Sequence, residues 1–225
     1  MIPWVHLDTA AVPGGTTQLR LKQRGDEFSI MLGTNELMNS RLSGSEQALA
    51  DLAAERIGAR KKPRILIGGL GMGFTLRAAL ASFKNDAEIV VAELVPEVVA
   101  WARGPLAEVF KGSLDDPRVR IVIDDVGRLI ASSKAAYDAI LLDVDNGPEG
   151  LSREENDELY ELKGLHEAKA ALKPGGILSV WSSGPSPLFT RRLGRAGFKA
   201  EEIPVRASTK KRGAKHMIWI ATKAE

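Results

Sequence analysis

An apolar run that stops at three closely spaced glycines constrains this chain more than any other feature. The stretch is Arg64-Ile65-Leu66-Ile67-Gly68-Gly69-Leu70-Gly71-Met72-Gly73-Phe74-Thr75-Leu76-Arg77. It predicts a buried strand entering a glycine turn that opens a helix, because a helical apolar rhythm follows the glycines. Glycines let the backbone approach a ligand without Cβ interference, and a helix N-terminus leaves unpaired N–H groups facing whatever binds. The spacing narrows the ligand. A dinucleotide fingerprint requires a third glycine or alanine five residues after the first, but counting from Gly69 gives Phe74 and from Gly71 gives Leu76. What stands instead is Gly69-x-Gly71-x-Gly73, the pattern of adenosyl-sulfonium binding sites.

Around this turn the chain alternates strand and helix. Predicted core strands are Arg64–Gly68, Glu88–Glu93, Val119–Asp124, Tyr137–Asp143 and Gly176–Trp181, with helices near 73–84, 96–110, 125–133 and 152–172. A short helix at Pro187–Ala196 and two further strands, Phe198–Val205 and His216–Ala221, complete the series. Such alternation implies βαβ units and a mostly parallel sheet. The unbroken apolar character of Ile65-Leu66-Ile67, Ile89-Val90-Val91, Ile121-Val122-Ile123 and Ile140-Leu141-Leu142 fits strands covered on both faces. Ahead of them, 1–44 reads as a small β appendage. It holds a hairpin of Thr17–Gln23 and Phe28–Leu32 around Arg24-Gly25-Asp26-Glu27, and a third strand at Leu37–Arg41. Ser45 is the expected cap of a helix ending near Gly58, and 45–225 is expected to form the main α/β domain. Leu172-Lys173-Pro174-Gly175-Gly176 is expected to end one helix and start the next strand.

Composition excludes several classes of function. Lys and Arg total 31 against 29 Asp and Glu, and the net charge of +2 provides no global field for nucleic acid or membrane. The basic run Arg206, Lys210, Lys211, Arg212 and Lys215 has no interleaved aromatics and reads as a solvated loop. The absence of cysteine removes disulfides and thiol chemistry. With no leader pattern and no apolar stretch of membrane-spanning length, a soluble cytoplasmic protein is expected. His6, His166 and His216 have no metal-binding spacing, so no metal is expected.

In open α/β sheets, ligands bind beyond the carboxyl ends of the strands, and acidic residues recur there. Glu93 lies twenty residues after Gly73, where a carboxylate can accept both ribose hydroxyls. Asp124 and Asp125 follow the third strand, within reach of an adenine amino group. Asp125 is equally suited to capping the next helix. Asp143 closes the fourth strand and leads into Val144-Asp145-Asn146-Gly147-Pro148, a turn-rich loop over the expected reaction centre. Asp145, Asn146 and Trp181 are the candidates for lining an acceptor pocket. The simpler readings are a loop-shaping role for Asp145 and a core role for Trp181.

These motifs resemble the spermidine-synthase-like (polyamine aminopropyltransferase) branch of the class I S-adenosylmethionine-dependent methyltransferase superfamily. The similarity rests on the small β region, Ile67–Gly73 with Thr75-Leu76-Arg77, Glu93-Leu94-Val95-Pro96-Glu97-Val98-Val99, and Tyr137-Asp138-Ala139-Ile140-Leu141-Leu142-Asp143. The position just before the glycine turn is apolar here, as in aminopropyltransferases, whereas generic methyltransferases carry an acid there. The resemblance implies a class I methyltransferase-like Rossmann fold: a mostly parallel seven-stranded sheet with a late antiparallel strand and the N-terminal β appendage. It implies S-adenosylmethionine or its decarboxylated form, held by Gly69, Gly71, Gly73, Glu93, Asp124 and Asp125. It implies Asp143 as the catalytic carboxylate that accepts the attacking amine's proton, and a homodimer.

Departures from the family pattern shape the functional expectation. Its glycine turn carries a substrate-binding aspartate where Gly71 stands, a second diamine-binding aspartate is matched by Asn146, and the segment near Ser45-Glu46-Gln47 lacks its tyrosine. A dicationic diamine needs several carboxylates to offset its desolvation. The leading expectation is therefore a spermidine-synthase-like transferase acting by methyl transfer on an unidentified small-molecule acceptor. The alternatives are aminopropyl transfer to a non-standard amine and an inactive adenosyl-binding module.

Overall fold

The computed structural model describes residues 2–15, 17–57, 59–144, 147–148, 158–208 and 213–225. Strands β1 (Val5–Ala11), β2 (Gln18–Arg24), β3 (Glu27–Leu32) and β4 (Asn35–Asn39) form an antiparallel sheet in chain order. The larger sheet contains β5 (Arg64–Gly68), β6 (Glu88–Glu93), β7 (Val119–Ile123), β8 (Tyr137–Leu142), β9 (Leu172–Ser182), β10 (Phe198–Arg206) and β11 (Lys215–Lys223). Their order is β10-β11-β9-β8-β5-β6-β7. Only β11 runs antiparallel to its neighbours. The helices are α1 (Gly44–Ile57), α2 (Phe74–Ser82), α3 (Pro96–Arg103), α4 (Ala107–Phe110), α5 (Val126–Ala131), α6 (Leu162–Ala171) and α7 (Pro187–Arg195).

The central strands bury both faces, as their apolar runs require. Ile65, Ile67, Ile89, Val91, Ala139 and Leu141 join one cluster with α1, α2 and α3, while Leu66, Val90, Ile140 and Leu142 join another with α6 and α7. The apolar face of the small sheet, including Leu19, Leu21, Phe28 and Ile30, packs into the first cluster. Each of these large side chains, fully buried, contributes about 1.5–3 kcal/mol. The chain order reverses direction at β5, between β6 and β8, which opens a crevice at the carboxyl ends of these strands.

Besides the 152–172 helix, which is interrupted at Glu161 ahead of α6 and whose residues 152–157 lie outside the described ones, the expected and observed elements differ at four places. The N-terminal sheet has a fourth strand, β1, which is exposed along most of its length and so lacks the alternation that would reveal it. The expected 96–110 helix splits into α3 and α4 at Gly104-Pro105, since proline disfavours helical backbone in the residue before it. Ser45 is not a cap: α1 begins at Gly44, and the fully buried Ser45 hydroxyl donates to Glu46 Oε2 at 2.6 Å.

The fourth difference is that β9 begins at Leu172 and carries Pro174 within it. Leu172 pairs with Tyr137 and Ile177 with Ala139, so the intervening residues bulge. The bulge is anchored by Asp138, a buried carboxylate that accepts from Arg60 Nη1 at 2.8 Å, the Arg64 amide at 2.8 Å and Lys173 Nζ at 2.6 Å. Arg60 also donates to the Pro174 carbonyl at 2.7 Å. Burial alone would push the Asp138 carboxyl up, but the donors from Arg64, Lys173 and Arg60 outweigh it and hold the pKa below the ordinary range. Asp138→Ala is expected to lower unfolding free energy by about 3 kcal/mol, because it leaves partly buried cations unpaired. A urea titration measures this, and a loss below about 1 kcal/mol would show that the bulge does not depend on the carboxylate.

Candidate active site

The crevice contains a cavity of about 630 Å³. Of the residues singled out from sequence, Gly69, Gly71, Glu93, Asp124, Asp125 and Asp143 line it, joined by Leu19, Ile30, Leu32, Leu37 and Met38 from the small sheet. The strand ends are tied together by backbone bonds. The Gly69 amide donates to Ala92, the Asp124 amide to Glu93 and the Asp143 amide to Gly68. The three acidic positions are thereby fixed against one another.

The glycines of the turn divide into two kinds. Gly69 has φ +88°, and a Cβ there would lie 2.6 Å from the Asp143 carbonyl oxygen, so the turn can approach the end of β8 only without a side chain. Gly71 lines the cavity, and Met38 covers the space a side chain would take. Gly73 lies outside the lining; its φ is +75°, and a Cβ would collide with the Phe110 ring. Gly73 therefore serves packing between the turn and α4.

Glu93 is 8% exposed and accepts from the Leu70 and Val95 amides, each at 2.9 Å. Burial pushes its pKa above the ordinary carboxylate range despite these donors. Asp125 is the N-cap of α5, its carboxylate accepting from the Arg128 amide at 3.1 Å, and it also lines the cavity. Asp124 accepts from the Asp125 amide at 2.8 Å and pairs with Arg128 Nη1 at 3.1 Å.

Asp143 is a strongly perturbed acid of the lining. Its Oδ2 accepts from the Thr75 hydroxyl at 2.5 Å, while burial, reinforced by the nearby Glu46 charge, pushes its pKa up to about 7. Glu46 is also raised by burial. Ser45 links this pair to β11, since its Oγ lies 2.9 Å from His216 Nδ1, and the His216 ring meets Trp181 edge to face at 4.9 Å. Trp181 is outside the cavity lining and packs against the core. Asp145 and Asn146 lie outside the described residues, as do Lys210, Lys211 and Arg212.

Two participants were missed in the sequence. Glu46 reads there as an acid in the first turn of a helix, and only the topology brings it to Asp143. Met38 has no local signal, because a strand methionine is ordinary core. Among the described residues no cluster of three or more acids or histidines could hold a metal, and no helix is long and apolar enough to cross a membrane.

The sequence model of one family, described as the spermine/spermidine synthase domain, matches residues 45–193. The chain belongs to this family. The polyamine aminopropyltransferase of Mycobacterium tuberculosis strain H37Rv is 38% identical over 125 residues, 54% of this chain and 23% of that protein. That of Nitrosomonas europaea is 33% identical over 134 residues, 57% of this chain and 38% of the relative. The match thus spans less than two fifths of either relative's length. Among solved structures, the spermidine synthase from Thermotoga maritima superposes with a TM-score of 0.72 at 18% identity, covering 97% of this chain and 72% of that one. A probable spermidine synthase from Corynebacterium glutamicum gives 0.67 at 16% identity, covering 97% and 79%. The fold that the strand–helix alternation and the resemblance implied is therefore the fold found.

Gly73→Ala is expected to lower stability by about 2–3 kcal/mol through left-handed strain and the Phe110 collision. The fraction that remains folded is expected to bind methylthioadenosine within about threefold of wild type. Thermal unfolding and calorimetry on the same sample check both halves.

Proposed function

We propose that this chain transfers an aminopropyl group from decarboxylated S-adenosylmethionine to an amine. The observation that carries this reading is Asp143, a half-buried carboxyl whose surroundings push its pKa up to about 7 and which shares one cavity with the glycine turn and Glu93. Membership of the spermine/spermidine synthase family favours aminopropyl transfer over the methyl transfer placed first in the sequence reading.

In this reading the adenosyl group lies along the glycine turn. Glu93 accepts from the ribose hydroxyls with the lone pairs its two backbone donors leave free, and Asp125 or Asp124 faces the adenine. The amine is held at Asp143. An ammonium has no lone pair, so Asp143 takes a proton before the nitrogen attacks the carbon beside the sulfonium. A carbon–nitrogen bond forms, the carbon–sulfur bond breaks with its electron pair, and the thioether leaves neutral. A carboxyl near pH 7 suits this proton transfer, because it is ionised under working conditions yet basic enough to hold the proton.

Incubation with either donor and a panel of primary amines tests the assignment. Methylthioadenosine is expected from the decarboxylated donor, with Glu93→Gln weakening donor binding at least about tenfold. Formation of S-adenosylhomocysteine from S-adenosylmethionine instead would restore methyl transfer.

The Asp143 environment also sets a pH dependence. With donor saturating, kcat/KM for the amine is expected to rise as pH increases through about 7, where the Asp143–Glu46 pair ionises. Glu46→Gln removes a charge that raises Asp143, so it should move that limb to lower pH. Stability runs the other way. The Asp143 pKa is 3.8 in the unfolded reference and about 7 when folded, so the folded state retains a proton that the unfolded chain has lost. Stability therefore falls as pH rises from about 4 to about 7. Asp143→Asn is expected to stabilise the protein at pH 8 by about 3 kcal/mol, with the gain vanishing near pH 4, as thermal unfolding at the two pH values will show.

A further inference from the structure

The cavity divides its charge unevenly. Glu93, Asp124 and Asp125 lie at the ends of β6 and β7, the nucleoside end in the reading above. Glu158 lines the cavity too and, with Asp125, Leu94 and Gly127, a neighbouring hollow, which sets it on the Asp125 side. At the end of β8 Asp143 stands with Glu46 behind it, and the wall that the small sheet supplies to the cavity is hydrocarbon and thioether: Leu19, Ile30, Leu32, Leu37 and Met38.

Met38 occupies the decisive position. It lies on β4 opposite Ile30, and its Sδ would be 3.0 Å from a Cβ at Gly71, with its Cε at 3.5 Å. Gly71 is two residues from the point where Gly69 meets the Asp143 carbonyl, so the Met38 thioether covers the turn beside the acid. A second ammonium placed against this wall would exchange its water for hydrocarbon and thioether, which cannot compensate its charge. A hydrocarbon body there would gain about fourfold in affinity per buried methylene.

We infer that the acceptor is a primary amine with a single positive charge and a hydrocarbon body, its nitrogen at Asp143 and its body against Met38 and Leu37. This rests on the aminopropyl-transfer reading and adds a substrate class to it. Met38 is then a specificity-determining residue, selecting against diamines by apolar contact where a carboxylate would select for them.

The test compares butylamine, hexylamine, phenethylamine and putrescine in two assays. The first measures methylthioadenosine release from the decarboxylated donor, and the second measures calorimetric binding of each amine to protein saturated with methylthioadenosine. Hexylamine is expected to exceed butylamine by about tenfold or more in kcat/KM and affinity, and both to exceed putrescine. Met38→Glu should bring putrescine above butylamine, whereas Met38→Leu should keep the wild-type order. Putrescine equal to or better than butylamine in the wild type, or indifference to chain length, overturns the inference while leaving aminopropyl transfer intact. Selective binding of the hydrocarbon amines without methylthioadenosine release from any of them upholds the amine class and overturns the aminopropyl reading.

Discussion

The close approach of the glycine turn to the end of β8 is the contact on which the site depends. Gly69 sits so near the Asp143 carbonyl that no side chain fits between them, and the Asp143 amide is bonded to Gly68. The turn that would cradle a nucleoside and the acid that would take a proton are therefore parts of one rigid junction, not two loops that happen to meet. Everything behind the junction serves to hold it. Central strands buried on both faces leave β5 and β8 little freedom to slide, and the Asp138 network at their opposite end ties β8 to β5 and the β9 bulge. A parallel sheet gains its site in this way, because strand ends fixed by a packed interior make a precise rim.

The acidic rim was legible in the sequence because each acid follows an apolar run, and a run buried on both faces must end where the sheet meets water. Glu93, Asp124, Asp125 and Asp143 line the cavity for that reason. Local spacing could not separate the glycines, since Gly69, Gly71 and Gly73 look alike until Phe110 from a distant helix is seen to fill the space beside Gly73. The same limit hid β1, whose exposed residues carry no periodicity, and the extended start of β9. There Pro174 argued for a boundary, yet Asp138 and Arg60 hold the bulge that accommodates it.

Glu46 and Met38 show a different kind of illegibility. Each belongs to an element whose local rules explain it fully, an acid in a helix's first turn and an apolar residue in a strand. Their importance arises from placement against residues 97 and 33 positions away in the chain, Asp143 and Gly71. Trp181 errs the other way. Its position near a strand end suggested the pocket, but the strand's pleat turns it toward His216 and the core.

The two acids nearest the turn are both raised by desolvation, but their surroundings differ in a way that separates their chemistry. Glu93 meets two fixed backbone donors, which stabilise its ionised form and orient it as an acceptor. Asp143 meets one hydroxyl and a neighbouring carboxylate, so its ionised form has little to compensate it. A cation entering the cavity changes that balance. An ammonium or sulfonium beside Asp143 stabilises the carboxylate and lowers its pKa, and by reciprocity the ionised carboxylate binds the cation more tightly. The unsatisfied acid is therefore a binding device as well as a base, because its missing compensation is the charge that its substrate brings.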